Sequence, residues 1–457
     1  MLTPLDDTIA AISTPLGKGA IGIVRLSGPQ ALAIAESVFR PKRGALRRRK
    51  RQLCYGWAVD PESGELIDEV LAVFMPAPCT FTRQDVVEIH GHGGPYVLQR
   101  ILAACLRSGA RMARPGEMTL RAFVNGRIDL AQAEAIRDLV EARGEAARRQ
   151  ALAQLEGRLS ARVRACRQRL LQCLAEVEAS LDFPEDVELD QGRTIEQLGA
   201  ALQELQALLR SAESGILTRE GVCVAIVGRP NVGKSSLLNA LLGEERAIVT
   251  PVPGTTRDTI EECVNISGVT FVLTDTAGLT EEPADLAETI GVERARAALA
   301  RSHVALAVFD ASEPLREQDA AVAQEVARAP RMLAVLNKCD LPVVTENPPL
   351  DSCPVIRVSA KTGAGIDALR EALVQAAFST DAEIGQEAAI TSERQKMAVE
   401  RALKSLAEGL ELLRAGLPLD VVALCLQQTC QALGEITGET ATEDILELVF
   451  SSFCLGK

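Results

Sequence analysis

Residues 222–243 read Val-Cys-Val-Ala-Ile-Val-Gly-Arg-Pro-Asn-Val-Gly-Lys-Ser-Ser-Leu-Leu-Asn-Ala-Leu-Leu-Gly. The first six are a short apolar run of the kind that forms a buried strand. The octet 228–235 has the phosphate-loop spacing of Gly, four residues, then Gly-Lys-Ser. Ser236 to Leu242 opens an apolar helix that Gly243 stops. Glycines let backbone amides close around phosphate oxygens, and the amides together with the helix N-terminus make an anion site. Asn231, Val232, Gly233, Lys234, Ser235 and Ser236 are therefore expected to line a nucleotide. In this arrangement Lys234 reaches the β- and γ-phosphates and Ser235 ligates Mg²⁺.

Further motifs follow in order. Gly254-Thr255-Thr256-Arg257-Asp258, preceded by Thr250-Pro251-Val252-Pro253, supplies a threonine about 20 residues on, where a switch loop closes over Mg²⁺ and the γ-phosphate. Val269–Thr274 reads as a strand ending in Asp275-Thr276-Ala277-Gly278, with Asp275 placed to hold Mg²⁺ through water and the Gly278 amide to sense the γ-phosphate. Met332–Leu336 ends in Asn337-Lys338-Cys339-Asp340, and Val355–Val358 ends in Ser359-Ala360-Lys361. Asp340 sets the base. Its carboxylate accepts from guanine N1–H and the exocyclic amine, whereas adenine would leave it unpaired. Charge-assisted bonds of about 1.5–3 kcal/mol each give discrimination of several powers of ten. The expected ligand is GTP.

Hydrolysis needs a further group. Ras-like proteins orient the attacking water with a glutamine directly after Asp-x-x-Gly, and here that position is Leu279. Glu281, Glu282, Asp285 and Glu288 are the acidic candidates downstream, and residue chemistry does not choose among them. No arginine finger is assigned either. Oxygen-rich Asn231 and the Thr250–Thr255 loop are compatible with a monovalent cation instead.

The 457 residues correspond to about three domains. Residues 1–128 mix strand-like segments (Ile21–Leu26, Val70–Phe74, Val86–Ile89) with a glycine-rich turn at 90–94 and a helix over Val97–Leu106. Helical periodicity dominates 130–216, punctuated by Pro184 and Gly192, and resumes over 380–450. Between the helical stretches, strands alternate with helices as in a doubly wound α/β unit. The expected architecture is multi-domain α/β: an N-terminal α+β domain (1–128), a discontinuous all-α helical domain (129–215 plus 379–457), and an inserted Ras-like G domain (216–378).

Apolar residues are 47% of the chain and aromatics only 3%, so aliphatic side chains must supply the core. Twelve scattered cysteines without a Cys-x-x-Cys pair, beside three histidines, argue against structural zinc and fit reduced cytoplasmic thiols. Neither a secretory signal nor a membrane span is expected. The net charge of −13 conceals an asymmetry: residues 1–128 hold 17 Lys and Arg against 11 Asp and Glu, a net of +6, and the rest hold 32 against 51, a net of −19. Eight cations crowd Arg40–Arg51. Such a run either contacts nucleic acid or is a solvated loop.

Several stretches resemble the MnmE (TrmE) family of tRNA modification GTPases along essentially the whole chain. They are Gly17–Gly28, Glu88-Ile-His-Gly-His-Gly-Gly94, Arg114-Pro-Gly-Glu-Met-Thr-Leu-Arg-Ala-Phe123, Asn125-Gly-Arg-Ile-Asp-Leu130 with Gln132–Ala135, and the terminal Phe450-Ser-Ser-Phe-Cys-Leu-Gly-Lys457. Met118 stands where phenylalanine is usual, and Leu455 where isoleucine is common. The resemblance implies a homodimer whose N-terminal domain binds a 5-formyl- or methylene-tetrahydrofolate. Arg25, Glu88, Arg127 and Lys457 match the folate contacts, with Arg127 where lysine is often found. It implies K⁺-dependent G-domain dimerisation in place of an arginine finger, with K⁺ held by Asn231, Thr250, Val252 and Thr255, and Mg²⁺ by Ser235 and Thr256. It also selects Glu288 as the acid that positions water. The implied partners are tRNA and MnmG, a flavoprotein that carries FAD. Together the two proteins add an aminomethyl or carboxymethylaminomethyl group to C5 of the wobble uridine. Cys454 has two readings: a thiolate that adds to C6 of the uracil, or a buried structural thiol. Rival readings of the whole are a ribosome-assembly GTPase and a nucleotide-gated scaffold.

Overall fold

The computed structural model describes residues 6–243, 261–275, 296–350, 353–378, 389–454 and 456. They fall into two compact units, one made of residues up to 137 with 163–174 and 426–457, the other of 138–162 and 175–425.

In the first unit, strands β1 (Ile9–Ile12), β2 (Gly19–Ser27), β3 (Phe39–Pro41), β4 (Cys54–Val59), β5 (Leu66–Met75), β6 (Val86–Gly93) and β7 (Arg111–Met112) form one sheet in the order β3-β4-β5-β6-β2-β1-β7. Helices α1 (Ala31–Val38) and α2 (Pro95–Arg107) cover it. Val24, Leu26, Ile34, Ile89, Leu98 and Ile101 pack between helices and sheet. Pro95 occupies the first turn of α2, where a missing amide hydrogen costs nothing. The expected turn at 90–94 is instead mostly strand. β6 runs to Gly93, pairing Gly91 and Gly93 with Gly22 and Gly19 of β2; a Cβ on Gly93 would lie 2.5 Å from the Gly19 carbonyl, so glycine lets the backbones approach there.

Helix α3 (Glu117–Val124) explains the Arg114–Phe123 motif. Arg121 is fully buried, donating to the Asp7 carbonyl (2.7 Å), to Gln84 Oε1 (3.1 Å) and to Glu117 Oε1 (3.0 Å). Arg111 donates to both Glu117 oxygens, Oε2 (3.0 Å) and Oε1 (2.6 Å). Burial would raise Glu117, but its hydrogen bonds from Arg111, Arg114 and Arg121 hold it below the usual carboxylate range. Gly116 has φ 68°, and a Cβ there would lie 2.4 Å from the Phe450 carbonyl of α13 (Glu443–Ser451). This motif therefore supports the architecture. Helix α4 (Leu130–Glu141) starts with a reciprocal cap: Gln132 N donates to Asp129 Oδ1, and Asp129 N to Gln132 Oε1.

The second unit contains β8 (Val222–Val227), β9 (Glu261–Ile266), β10 (Val269–Asp275), β11 (Val304–Asp310), β12 (Met332–Asn337) and β13 (Val355–Arg357), ordered β13-β12-β11-β8-β10-β9. All neighbours are parallel except β9 against β10. A parallel sheet covered on both faces needs unbroken apolar strands, and every residue of β11 is buried. Helices α8 (Lys234–Leu242) and α10 (Ile366–Ala377) pack on one face through Leu237, Leu241, Leu369 and Leu373. On the other, Val326 of α9 (Glu317–Val326) meets Phe309 and Leu336.

The long helices are α5 (Glu145–Leu155), α6 (Arg158–Asp182), α7 (Gln191–Glu220), α11 (Glu393–Arg414) and α12 (Leu419–Thr437). Gly192 does not punctuate this stretch. Asp190 caps α7 by accepting from Arg193 N (3.0 Å), so Gly192 lies in the first turn. The break before it is 183–190, which contains Pro184. Leu198, Leu205 and Leu208 of α7 are fully buried, each worth about 1.5–3 kcal/mol. Among the described residues no helix is long and apolar enough to cross a membrane.

Candidate functional site

β8 lies between β10 and β11, where the strand order reverses. Its carboxyl end is the switch point at which doubly wound sheets bind ligands. The octet 228–235 leaves the sheet there and enters α8. Gly228 passes so close to β11 that a Cβ would sit 2.5 Å from the Val308 carbonyl. Gly233 has φ 93°, and a Cβ on it would meet Asn337 Nδ2 at 2.4 Å. Asn231 also takes a positive φ of 64°, a conformation asparagine tolerates better than most residues. Asn231, Ser235 and Ser236 are exposed, and Val232 is buried beneath the loop. Lys234 Nζ donates to the carbonyls of Gly228 (2.7 Å) and Arg229 (2.9 Å).

Three loops converge through Asn337. Its Nδ2 donates to the Val232 carbonyl (2.9 Å), and its Oδ1 accepts from Ala360 N (3.0 Å). One buried amide thus ties the phosphate loop to the Ser359–Lys361 loop. Asp340 Oδ1 accepts from Ser359 Oγ (2.7 Å), and that hydrogen bond holds its carboxyl below the usual range, so it is an acceptor at neutral pH. Ser359 Oγ also accepts from Thr362 N (3.2 Å). Lys361 is exposed. Lys338, at φ 65°, reaches back to Asp310 Oδ2 (2.6 Å). Burial would raise Asp310, but bonds from Lys338 and Ser312 bring it below the usual range.

Two of these supports are absent from the sequence reading. Asp310 is one, and its signal is an acid at the carboxyl end of a fully apolar strand. The other is Arg229, which looks like filler within the octet. Its guanidinium is 6% exposed, bonded to Glu313 Oε2 (2.8 Å) and 3.3 Å from buried Asp319 Oδ1. Asp319 also accepts from Arg316 N (2.9 Å) at the start of α9.

Thr250, Pro251, Val252, Pro253, Gly254, Thr255, Thr256, Thr276, Ala277, Gly278, Leu279, Glu281, Glu282, Asp285, Glu288 and Lys457 lie outside the described residues. Asp275 ends β10. Of the expected Mg²⁺ and K⁺ ligands, Ser235 and Asn231 are described. The exposed backbone arch between Gly228 and α8 suits a nucleotide phosphate.

In the first unit, Arg25 and Glu88 are direct partners across β2 and β6. Arg25 Nε and Nη2 bond Glu88 Oε1 (2.9 and 2.8 Å), and His90 Nε2 sits 3.0 Å from Oε2. The His90 bond holds the half-buried Glu88 below the usual range, with Arg25 reinforcing it against burial. His90 is a partner that the sequence did not single out, and the two-residue spacing that puts it on the same strand face is the signal. The carboxylate keeps lone pairs for a ring donor. Arg127 stands apart from this triad. Its guanidinium lies 4.7 Å over the Phe81 ring and donates to the Phe81 carbonyl (3.2 Å). It borders a cleft of about 350 Å³, lined also by Asp129, Gln132, Arg164 and Glu439. Cys454 is exposed, which overturns the buried-thiol alternative. Beside it, Gly456 is fixed by Ser13 Oγ, which donates to its carbonyl (3.2 Å).

The sequence profile described as the MnmE helical domain matches residues 130–454, and that of the GTP-binding protein TrmE N-terminus matches residues 8–127. Proteins named tRNA modification GTPase MnmE are 48% identical in Chloroflexus aurantiacus, over 99% of this chain and all of that one, and 47% identical in Streptococcus suis, over all of both. The Streptococcus pneumoniae serotype 4 protein of the same name is 45% identical over all of both. Among solved structures, Aquifex aeolicus Era bound to GDP.AlF4- is 32% identical with a TM-score of 0.27, covering 40% of this chain and 65% of that one. Matched along its full length by these relatives, the chain belongs to the MnmE family of tRNA modification GTPases.

Proposed function

We propose that this protein hydrolyses GTP in the service of tRNA modification. The observation that carries this is the Asn337 junction, with Asp340 presented beside it. A carboxylate held ionised by Ser359, next to an amide that locks the phosphate loop, favours guanine over adenine. Asp340→Asn tests it. The amide presents a donor where xanthine has an oxygen, so preference should move from GTP to xanthosine triphosphate by about 10²-fold or more. Unchanged GTP selectivity would refute the assignment of the base site.

The finer reading assigns Ser235 and Thr256 to Mg²⁺, and Asn231, Thr250, Val252 and Thr255 to K⁺, with the G domains pairing. Asn231, raised from the loop at positive φ, supports the cation assignment. Glu288 is the proposed water-positioning acid. Arg25, Glu88, Arg127 and Lys457 are proposed to hold the tetrahydrofolate derivative, which supplies the one-carbon unit. The Arg25–Glu88–His90 cluster is a fitting acceptor site for a pterin. The reading includes a homodimer, a cytoplasmic setting, action with MnmG on the wobble uridine, and exposed Cys454 as a candidate nucleophile. The three-domain division given by the sequence is part of the same proposal.

A further inference from the structure

The stretch Arg40–Arg51, which runs from β3 into the loop before β4, is the most cationic of the chain, and neither nucleotide nor folate chemistry uses it. Of its eight cations, Arg47 pairs with Glu36, and Arg51 spends its guanidinium on the carbonyls of Pro76 and Cys79. The other six, Arg40, Lys42, Arg43, Arg48, Arg49 and Lys50, are exposed, and none is ion-paired to a described carboxylate. Elsewhere in this unit arginines find acids readily, as Arg25, Arg100, Arg107, Arg111 and Arg121 do. The loop is also anchored rather than loose. Leu46 is 1% exposed in the core, Lys42 N donates to the Tyr55 carbonyl (3.0 Å), and Arg51 N donates to the Phe74 carbonyl (2.7 Å). Lys42 Nζ sits 5.1 Å over the half-exposed Tyr55 ring, which adds an aromatic surface to the charge.

A fixed array of unpaired cations costs self-repulsion unless an anion joins it. Six charges on about a dozen residues, with an aromatic ring among them, match a polyphosphate backbone better than a single small anion. We infer that the Arg40–Lys50 stretch is a docking surface for the sugar-phosphate backbone of the tRNA substrate. This rests on the reading of the protein as a tRNA-modifying enzyme and adds the place where the RNA is gripped. The contact is to phosphate, so it positions the RNA without reading its bases.

The test uses the full-length protein without nucleotide and a transcript of a tRNA with uridine at the wobble position, titrated at several NaCl concentrations. Replacing Arg43, Arg48, Arg49 and Lys50 with Ala should weaken binding by about tenfold or more near 0.1 M salt and flatten the log–log salt slope by roughly 3. The triple Arg43→Lys, Arg48→Lys, Arg49→Lys variant keeps the charge and should retain the slope. GTP turnover without tRNA should be unchanged in both, which also reports folding. Equal affinity and slope in wild type and the alanine variant would overturn the docking surface alone. A wild type that binds no tRNA would overturn the substrate reading with it. A patch-dependent affinity for phosphatidylglycerol vesicles, with tRNA binding intact, would overturn the RNA assignment in favour of a lipid surface.

Discussion

Arg229 shows how much a residue between two motif positions can do. Its carbonyl accepts from Lys234, and its side chain spans Glu313 and Asp319. Glu313 is 41% exposed, so that pair contributes little. Asp319 is 2% exposed, and stripping a buried carboxylate of its cation costs about 3–5 kcal/mol. Arg229→Ala should therefore lower the urea midpoint and weaken GTP binding, with a smaller effect on kcat. Arg229→Lys keeps one charge but loses the fork, and should fall between. An alanine variant of wild-type stability would show that the network is incidental. Glu288 and potassium make a second prediction at this scale. Leu279 cannot polarise water, so Glu288→Ala should slow hydrolysis by about 10²-fold or more with little loss of GTP affinity. Exchanging K⁺ for Na⁺ should also reduce turnover, and equal rates in the two salts would remove the potassium assignment.

Elements in this chain are set as much by what they must approach as by propensity. α7 illustrates the conflict. Gly215 lies inside a helix, where replacing Gly by Ala ordinarily gains about 1 kcal/mol. Here a Cβ would stand 2.1 Å from the Ile390 carbonyl and 2.9 Å from Gln150 Nε2. The first is backbone and cannot step aside cheaply, and such overpacking costs about 1–3 kcal/mol. The two magnitudes predict a net loss. Gly215→Ala should unfold at lower urea concentration than wild type, whereas Gly199→Ala, in the same helix with nothing within 4 Å, should be neutral or stabilised. Equal gains at both sites would mean that α7 and the 390 segment are not closely packed. The same logic explains why β6 outruns its expected end: glycine pairs there mark strands in close register, and sequence alone reads Gly-rich as turn.

At the scale of the molecule, legibility followed the range of the interaction. The phosphate loop, the base motif and the alternation around them are local patterns, and β8, α8, β12 and β13 lie where those patterns put them. What escaped was long-range. Arg229 finds Asp319, Lys338 finds Asp310, and Arg121 finds Asp7, and each pairing depends on the fold that joins them. The Arg114–Phe123 motif was readable as a signature, yet only burial reveals its ion network as scaffold. The phosphate-loop site and the Arg25–Glu88–His90 cluster belong to different compact units, one to each. Their ligands should accordingly leave separate footprints. In hydrogen–deuterium exchange of the full-length protein, Mg²⁺–GTP should protect peptides covering 228–236, 337–340 and 359–361. 5-Formyl-tetrahydrofolate should protect those covering 25, 88–90 and 127. At 100 times Kd either ligand adds about 2.7 kcal/mol to the state it binds, enough to slow exchange by about 100-fold where opening exposes that site. Asp340→Asn should erase only the first footprint and Glu88→Ala only the second. If folate protected no peptide of the β2–β6 pair, the proposed pterin site would fall while the nucleotide site stood, because nothing in the Asn337 junction draws on Glu88.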